Sequence, residues 1–343
     1  MTEFAPGLHA AIGQEVDVLA YDRFTGRWSR LFVPDVLAAA EINPGCKVLD
    51  ICTGTGEVAV AALPLIGARG IFVGADISPE MVRSARKRAN HPQFWPVVTD
   101  GQALAFRDDC FDAVVCQLGL QFFLDPARGL SEFHRVLRPG GKASVCVIST
   151  PDRAPLWGEL AQTLGRYLPA KRHIFMSSFS LSDLTRFEGL LKGAGFTDVS
   201  VVRDMRGAEM RSFKEYWDSI EAGIGSIPQS YLLLSEADRR AVREEVQAKL
   251  SKFEVVGSLH LSVEMLIGSG RKDPESVHAA FPSSTRLTPF DTRFSDLLAC
   301  PSTGGPLEYD HATGELISPQ AGLAFPVRDG LPIMLLDAAR RLS

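Results

Sequence analysis

The chain has 343 residues, 45% hydrophobic and 22% charged, with 36 Lys+Arg against 41 Asp+Glu for a formal net charge of -5. That length predicts two domains, or one large domain with an appendage. The acidic balance argues against docking led by electrostatics onto nucleic acid or anionic lipid, and no apolar run reaches the roughly 18 to 20 residues that span a bilayer. The N-terminus, Met1-Thr2-Glu3-Phe4-Ala5-Pro6, shows no basic stretch followed by an apolar one, so a cytoplasmic protein is expected.

Between residues 34 and 149, short apolar runs alternate with amphipathic stretches, the pattern of a parallel sheet with crossover helices. Strands are expected at Lys47 to Ile51, Gly70 to Ala75, Phe94 to Val98, Phe111 to Cys116 and Ala143 to Ile148. Helices are expected at Gly56 to Leu65, Pro79 to Ala89 and Pro126 to Leu137, the last closed by Pro139-Gly140-Gly141. Helical patterns follow at about 153 to 167 and 181 to 194, then a strand at Val199 to Asp204. Further helical stretches lie near Ser212 to Ala222 and Glu236 to Phe253, before a last strand at Leu261 to Ile267.

Two strands separated by a mostly helical stretch read as a sheet edge with an insertion, about 206–259, over the end where ligands bind in open α/β folds. The Pro- and Ser/Thr-rich stretch 273–290 is the expected linker. The turn-rich remainder, 291–343, predicts a small, mostly β module. The fold class is thus a doubly wound, mostly parallel seven-stranded α/β sheet, with a helical lid and a small C-terminal β domain. The six cysteines, Cys46, Cys52, Cys110, Cys116, Cys146 and Cys300, form no Cys-x-x-Cys pair, so buried free thiols are expected in preference to disulfides or zinc.

The sharpest motif is Asp50-Ile51-Cys52-Thr53-Gly54-Thr55-Gly56, where a buried strand delivers a carboxylate to a glycine turn that opens a helix. Twenty residues after Gly56, the next strand ends in Asp76-Ile77-Ser78, which places a second carboxylate within reach of ribose hydroxyls. The same spacing satisfies a loose dinucleotide fingerprint, so an NAD-dependent oxidoreductase has to be weighed. Asp50 discriminates, because a carboxylate beside the turn repels a pyrophosphate and suits a cationic ligand.

At this point the sequence resembles the class I S-adenosylmethionine-dependent methyltransferases, most closely the branch of ubiquinone/menaquinone C-methyltransferases. Asp50-x-x-x-Gly54-x-Gly56 is similar to that family's first motif, Asp76-Ile77-Ser78-Pro79-Glu80-Met81 to the second and Asp100-Gly101-Gln102-Ala103-Leu104-Ala105-Phe106 to the third. Phe111 to Phe123 is similar to the fourth, and Arg135-Val136-Leu137-Arg138-Pro139-Gly140-Gly141 to the segment before strand five. Tyr21-Asp22-Arg23-Phe24-Thr25-Gly26-Arg27-Trp28-Ser29 fits the same branch, and the resemblance covers residues 20–272.

The resemblance implies S-adenosylmethionine as cofactor. Asp50, Thr53, Gly54 and Gly56 would hold its methionine part and Asp76 its ribose. Ile77 and Met81 would pack on adenine, with Asp100, Gly101 and Gln102 at its amino group. Cys116 and Gln117 would form the floor near the methyl; Tyr21 and Trp28 would either cover the methionine end or serve as core aromatics anchoring the N-terminal segment. Methyl transfer from a sulfonium needs alignment and exclusion of water more than a dedicated acid or base. No compact catalytic triad is expected, and His173, Tyr21 and Gln117 are the candidates for a catalytic role. His9 and His173 flank the substrate mouth in the resembled family. His134 is expected to be exposed; His91, His278 and His311 fall in turns or the linker, and His260 near the last strand.

Ser295-Asp296-Leu297-Leu298-Ala299-Cys300-Pro301 and Leu323 to Leu335 resemble the small zinc-ribbon-like activators that pair with methyltransferases by adding strands. Zinc-binding members carry four cysteines, whereas this segment keeps Cys300 with Ser302 and Thr303 after Pro301, so no metal is expected. The expected partner is a small-molecule methyl acceptor, without nucleic acid or a membrane span, and a homodimer is admitted. Cys116-Gln117-Leu118-Gly119 stands where methyltransferases of amide or exocyclic amino nitrogens carry Asn/Asp-Pro-Pro-Tyr/Phe. A small, partly apolar acceptor with an O, S, C or amine nucleophile is therefore expected. The alternatives are a tRNA or protein methyltransferase with an internal activator, and a noncatalytic cofactor-binding scaffold.

Overall fold

A computed structural model describes residues 25–221, 226–274 and 292–342. Tyr21 and His9, and all but the first two residues of the expected linker, including His278, lie outside the described residues.

The first sheet has the order β3-β2-β1-β4-β5-β8-β6, with β7 paired to β8. Its strands are β1 (Lys47–Ile51), β2 (Ile71–Asp76), β3 (Phe94–Val98), β4 (Phe111–Gln117), β5 (Leu137–Ile148), β6 (Thr197–Met210), β7 (Glu254–Val255) and β8 (Ser258–Arg271). Strands β1 to β5 run parallel, while β8 pairs antiparallel with both β5 and β6. The order turns around between β1 and β4, and that switch point opens a crevice at the carboxyl ends of the two strands. Val48 and Leu49 are fully buried, as strands covered by helices on both faces require.

Helices α1 (Val33–Ala39), α2 (Glu57–Ile66) and α3 (Pro79–Ala89) precede α4 (Pro126–Val136), α5 (Pro155–Tyr167), α6 (Arg172–Ser177) and α7 (Leu184–Gly193). Apolar faces on these helices meet the sheet in two clusters, one around Phe32, Val48, Phe72 and Leu160 and the other around Leu49, Val73, Phe111 and Phe133. Ser78 and Asp125 cap α3 and α4, their side chains accepting from the Met81 and Arg128 amides, and Pro79 and Pro126 follow at the first helical position.

The structure corrects several expected boundaries. Helix α4 stops at Val136 and the chain passes straight into β5, so Pro139-Gly140-Gly141 lies within the strand, where the β4–β5 register shifts. Strands β6 and β8 are far longer than the sequence pattern suggests. Pairing of β5 with β8 ends at Ile148 opposite Met265, whereas β6 and β8 stay paired to Met210 opposite Leu259. The excess forms a two-stranded ribbon beyond the end of the sheet, and it carries α8 (Phe213–Glu221), α9 (Ser226–Leu232) and α10 (Glu236–Leu250). An aromatic cluster of Phe213, Tyr216, Trp217 and Tyr231 joins α8 to α9, and the Tyr216 hydroxyl donates to the Leu156 carbonyl at 3.0 Å.

A second, five-stranded antiparallel sheet comprises β9 (Glu308–Asp310), β10 (Glu315–Ser318), β11 (Leu323–Arg328), β12 (Leu331–Pro332) and β13 (Arg340–Arg341). It docks on the β3 edge of the first sheet. Ile333 forms a parallel bridge with Val98, and the Met334 amide donates to the Val98 carbonyl at 2.7 Å. Phe294, fully buried, stacks on Trp95 with ring centroids 5.2 Å apart. The docked module thus covers an edge that would otherwise expose unpaired backbone groups.

Candidate functional site

Asp50 lies at the carboxyl half of β1, fully buried. One oxygen accepts from the Thr53 hydroxyl at 2.7 Å, and the other has no hydrogen-bond partner among the described residues. Burial pushes its carboxyl up to about 8, partly offset by the Thr53 hydroxyl and reinforced by the nearby Asp76. A buried carboxylate with an unpaired oxygen is costly unless a cation meets it, so the position fits an ammonium group.

The turn beyond Asp50 is shaped by backbone conformation. Cys52, Gly54 and Gly56 have φ of +59°, +53° and +87°. Gly56 also packs on α3, where an added Cβ would sit 3.1 Å from the Ala85 Cα. Asp76 ties this turn to β2, its two oxygens accepting from the Gly54 and Ser78 amides at 3.0 Å each. Burial raises the Asp76 carboxyl above the ordinary range, and the backbone amides of Ser78, Gly54 and Ile77 counter it. Each oxygen keeps a second acceptor position for a ribose hydroxyl.

Ile77 and Met81 are half-buried at the start of α3. Asp100 accepts from the Gln102 amide at 2.8 Å, and Gln102 in turn accepts from the Asp125 amide at 2.8 Å, which fixes the loop after β3. Gly101 is held against Phe123 and Ile51. Asp50, Thr53, Gly54, Gly56, Asp76, Ile77, Met81, Asp100, Gly101 and Gln102 thus lie at or just beyond the carboxyl ends of β1, β2 and β3.

The fourth motif occupies β4 and the turn after it. Cys116 is buried, and its thiol pairs with that of Cys52, an interaction that together with burial raises the Cys52 thiol well above its ordinary range. Gly119 packs on both, since an added Cβ would lie 2.5 Å from the Cys52 Sγ and 2.9 Å from the Cys116 Sγ. The Gln117 amide nitrogen donates to the Ser29 carbonyl at 2.5 Å, which pins the helical turn Arg27–Ser29 over the end of β4. Trp28 is buried there with its indole nitrogen unpartnered, and the Arg27 guanidinium lies 4.5 Å from its ring centre. Gln117 therefore acts as a clamp on the covering segment. His173 is exposed on α6. His134, expected to be exposed, is half-buried and packs edge-on against Phe196, 5.1 Å between centroids, because α7 and the turn after it close over α4.

Sequence reasoning missed a brace behind the glycine turn. Glu57, the first residue of α2, pairs with Arg30 and Arg88 at 2.8 Å each, and Arg88 also donates to the Thr55 hydroxyl at 2.9 Å. An acid immediately after a helix-opening glycine was the available signal. The Cys300 thiol of the module is surrounded by hydroxyls of Ser302, Ser318 and Thr303; burial pushes it up, but the hydroxyls together bring it below its ordinary range. Among the described residues no cluster of His, Cys, Asp and Glu is arranged to hold a metal ion.

Comparison with known proteins decides the family. A family model described as a methyltransferase domain matches residues 49–145, and one described as a Trm112p-like protein matches residues 291–330. A demethylmenaquinone methyltransferase of Staphylococcus epidermidis is 30% identical over 185 residues, covering 50% of this chain and 76% of that protein. The chain belongs to the class I S-adenosylmethionine-dependent methyltransferases. A demethylmenaquinone methyltransferase of Streptomyces avermitilis is 38% identical over 142 residues, but the chain spans only 58% of that relative's length. Among solved structures, an N-methyltransferase of Haemonchus contortus in complex with phosphomonomethylethanolamine and S-adenosylhomocysteine has the same fold, with a TM-score of 0.51 at 19% identity over 80% of this chain and 61% of that one. S-adenosylmethionine is the methyltransferase's cofactor, and the unpaired Asp50 oxygen beside a backbone-lined turn fits its amino acid moiety. Among the described residues, no helix is long and apolar enough to cross a membrane.

Proposed function

We propose that this methyltransferase methylates a small, partly apolar acceptor, of the kind its demethylmenaquinone methyltransferase relatives suggest, through an O, S, C or amine nucleophile. The unpaired, buried carboxylate oxygen of Asp50 carries the cofactor part of this reading. When bound, S-adenosylmethionine supplies a methyl group on a sulfonium, open to in-line displacement.

The chain's own residues then do three things. Asp50 holds the ammonium group and Asp76 the ribose, while the 54–56 turn offers backbone amides at close range. Gln117, through Ser29, keeps Trp28 and the covering segment closed over the reaction site and excludes water. The ribbon helices α8 to α10 form a lid over the acceptor side. His173 and Tyr21 remain proposed proton acceptors for a nucleophile that must lose a proton.

A second reading is favoured by the docking of the Trm112p-like module on β3: a built-in stabiliser for an enzyme acting on RNA or protein. The net charge of -5 speaks for the small acceptor. Two domains, residues 1–272 and 291–343, and a cytoplasmic, soluble location complete the proposal. The test is calorimetric titration of the full chain with S-adenosylmethionine and S-adenosylhomocysteine, followed by methyl-transfer assays on hydroquinones, thiols, amines and RNA. Transfer to RNA alone would replace the first reading with the second.

A further inference from the structure

Two neighbouring residues ahead of α1 are fastened to opposite sides of the switch point between β1 and β4. On the β4 side, the Gln117 amide nitrogen at the end of that strand donates to the Ser29 carbonyl at 2.5 Å. On the β1 side, Arg30 holds both carboxylate oxygens of Glu57, the first residue after the glycine turn, with Nε to Oε2 at 3.1 Å and Nη2 to Oε1 at 2.8 Å. The segment Arg27–Leu31 therefore spans the gap between the two strand ends. Its leading end is tied to the ribbon and to α8, where Arg27 donates to the Glu209 carbonyl and to Glu215 at 2.9 Å each.

The pair with Glu57 reaches into the turn itself. Oε1 of Glu57 also meets Arg88 of α3 at 2.8 Å, and the same Arg88 nitrogen donates to the Thr55 hydroxyl at 2.9 Å. Thr55 stands buried between Gly54 and Gly56, whose positive φ leaves the turn to be set by whatever grips it. A bidentate guanidinium–carboxylate contact fixes orientation as well as distance. Arg30 is nevertheless half-exposed, so the pair contributes little to global stability.

The segment is also built to swing. Phe32 is fully buried and anchors its trailing end. Trp28 is buried, but its indole N–H has no partner among the described residues, so lifting the turn breaks no hydrogen bond of the ring and gives that N–H to water.

Resting on the methyltransferase reading, we infer that Arg30 is a positioning residue for the cofactor: paired with Glu57, it fastens the segment Arg27–Leu31 across the switch point, and S-adenosylmethionine held by the glycine turn leaves only after this pair has opened. Arg30 acts through Glu57 and through the placement of the segment.

The test uses the full chain, wild type and Arg30→Gln, Glu57→Gln and the double variant, with Arg30→Lys as the replacement that keeps the charge without the fork. Surface plasmon resonance on the immobilised proteins measures the release rate of S-adenosylhomocysteine at low and high salt. Hydrogen exchange of the free proteins and thermal unfolding accompany it. Arg30→Gln should release the ligand on the order of fivefold faster, with Arg30→Lys in between, while its unfolding temperature moves by no more than roughly 3 °C. High salt should speed release from the wild type and leave Arg30→Gln unchanged. Amides of Arg27–Leu31 should exchange faster in Arg30→Gln and those of β1 should not. The double variant should release no faster than Glu57→Gln.

An unchanged release rate in Arg30→Gln overturns the inference, as does an equal acceleration by Arg30→Gln when Glu57 is already replaced. A shift of the unfolding temperature alone would show that Arg30 is merely structural, and overturns it too. Wild-type protein that binds no S-adenosylhomocysteine would instead sink the methyltransferase reading. If Arg30→Gln does not fold, Arg30→Lys decides by the same comparisons.

Discussion

Asp50 should make the empty protein less stable as pH rises, and cofactor binding should reverse the effect. Its carboxyl titrates near 8 in the folded chain against 3.8 ordinarily, chiefly because of burial. From about pH 4 to pH 8 the folded state therefore holds a proton that the unfolded chain has released, and linkage requires stability to fall with rising pH across that window. One such proton amounts to about 1.4 kcal/mol per pH unit, so between pH 5 and pH 7.5 this one residue removes on the order of 3 kcal/mol. Asn keeps the shape and can accept from Thr53, but does not titrate.

The experiment is urea unfolding of wild type and Asp50→Asn across pH 5 to 8. The wild-type curve should drop more steeply, and the variant should be the more stable protein at pH 7.5. Binding of an ammonium group must ionise Asp50. Calorimetry of S-adenosylhomocysteine at pH 7 should then show release of close to one proton, as a dependence of the apparent enthalpy on the buffer, and affinity should rise with pH up to about 8. Asp50→Asn should bind neither form of the cofactor measurably. Parallel pH profiles for the two proteins, together with a buffer-independent enthalpy, would refute the argument.

Three further substitutions probe other parts of the structure. Asp76→Ala strips the acceptors from the Gly54 and Ser78 amides; it should weaken S-adenosylhomocysteine on the order of 100-fold, about 3 kcal/mol for charge-assisted hydrogen bonds, as read by calorimetry. Gly119→Ala places a methyl 2.5 Å from Cys52, and such overpacking should cost about 1–3 kcal/mol in chemical unfolding. Phe294→Ala empties the space on Trp95 and should destabilise the module by about 3–5 kcal/mol. Hydrogen exchange at the Met334 amide should then speed up far more than at amides of β1, and equal protection at Met334 would show that the module docks without Phe294.

The parallel strands were legible because their residues are apolar on both faces, and Pro79–Ala89 and Phe94–Val98 were found to the residue because a proline or a turn marks each boundary. The ribbon was not. Beyond Val202, β6 reads Arg203-Asp204-Met205-Arg206-Gly207, a sequence with no alternation, and its strand form comes from pairing with β8. Tertiary pairing overrides weak local propensity in that segment. The placement of the candidate site's carboxylates was legible for a related reason: Asp50, Asp76 and the glycine turn are set by local sequence, and they fall at the ends of β1 and β2. The Glu57 brace depends on Arg30 and Arg88, 27 or more residues away, and nothing in a one-dimensional pattern says which cations an acid will meet.

The module's place on β3 ties the two halves of the chain into one argument about stability. A mixed sheet of this order has two edges, β3 and β6. Edge strands tend to be protected by charge or by cover. Strand β6 carries Asp198, Arg203, Asp204, Arg206 and Glu209 along its length, and its outward residues are largely exposed. Strand β3, Phe-Trp-Pro-Val-Val, carries no charge at all and is buried or half-buried throughout. Its cover is the module, through Ile333, Met334 and Phe294. An uncharged edge of that composition would invite association with other chains if it stood bare, and the module covers it. In the proposed cofactor site Asp100, Gly101 and Gln102, in the loop after β3, would face adenine, and the Met334 amide bonds the Val98 carbonyl two residues before Asp100. On that proposal, support of the sheet edge and support of the cofactor loop are the same contact, which gives a methyltransferase a physical reason to carry a Trm112p-like segment in its own chain.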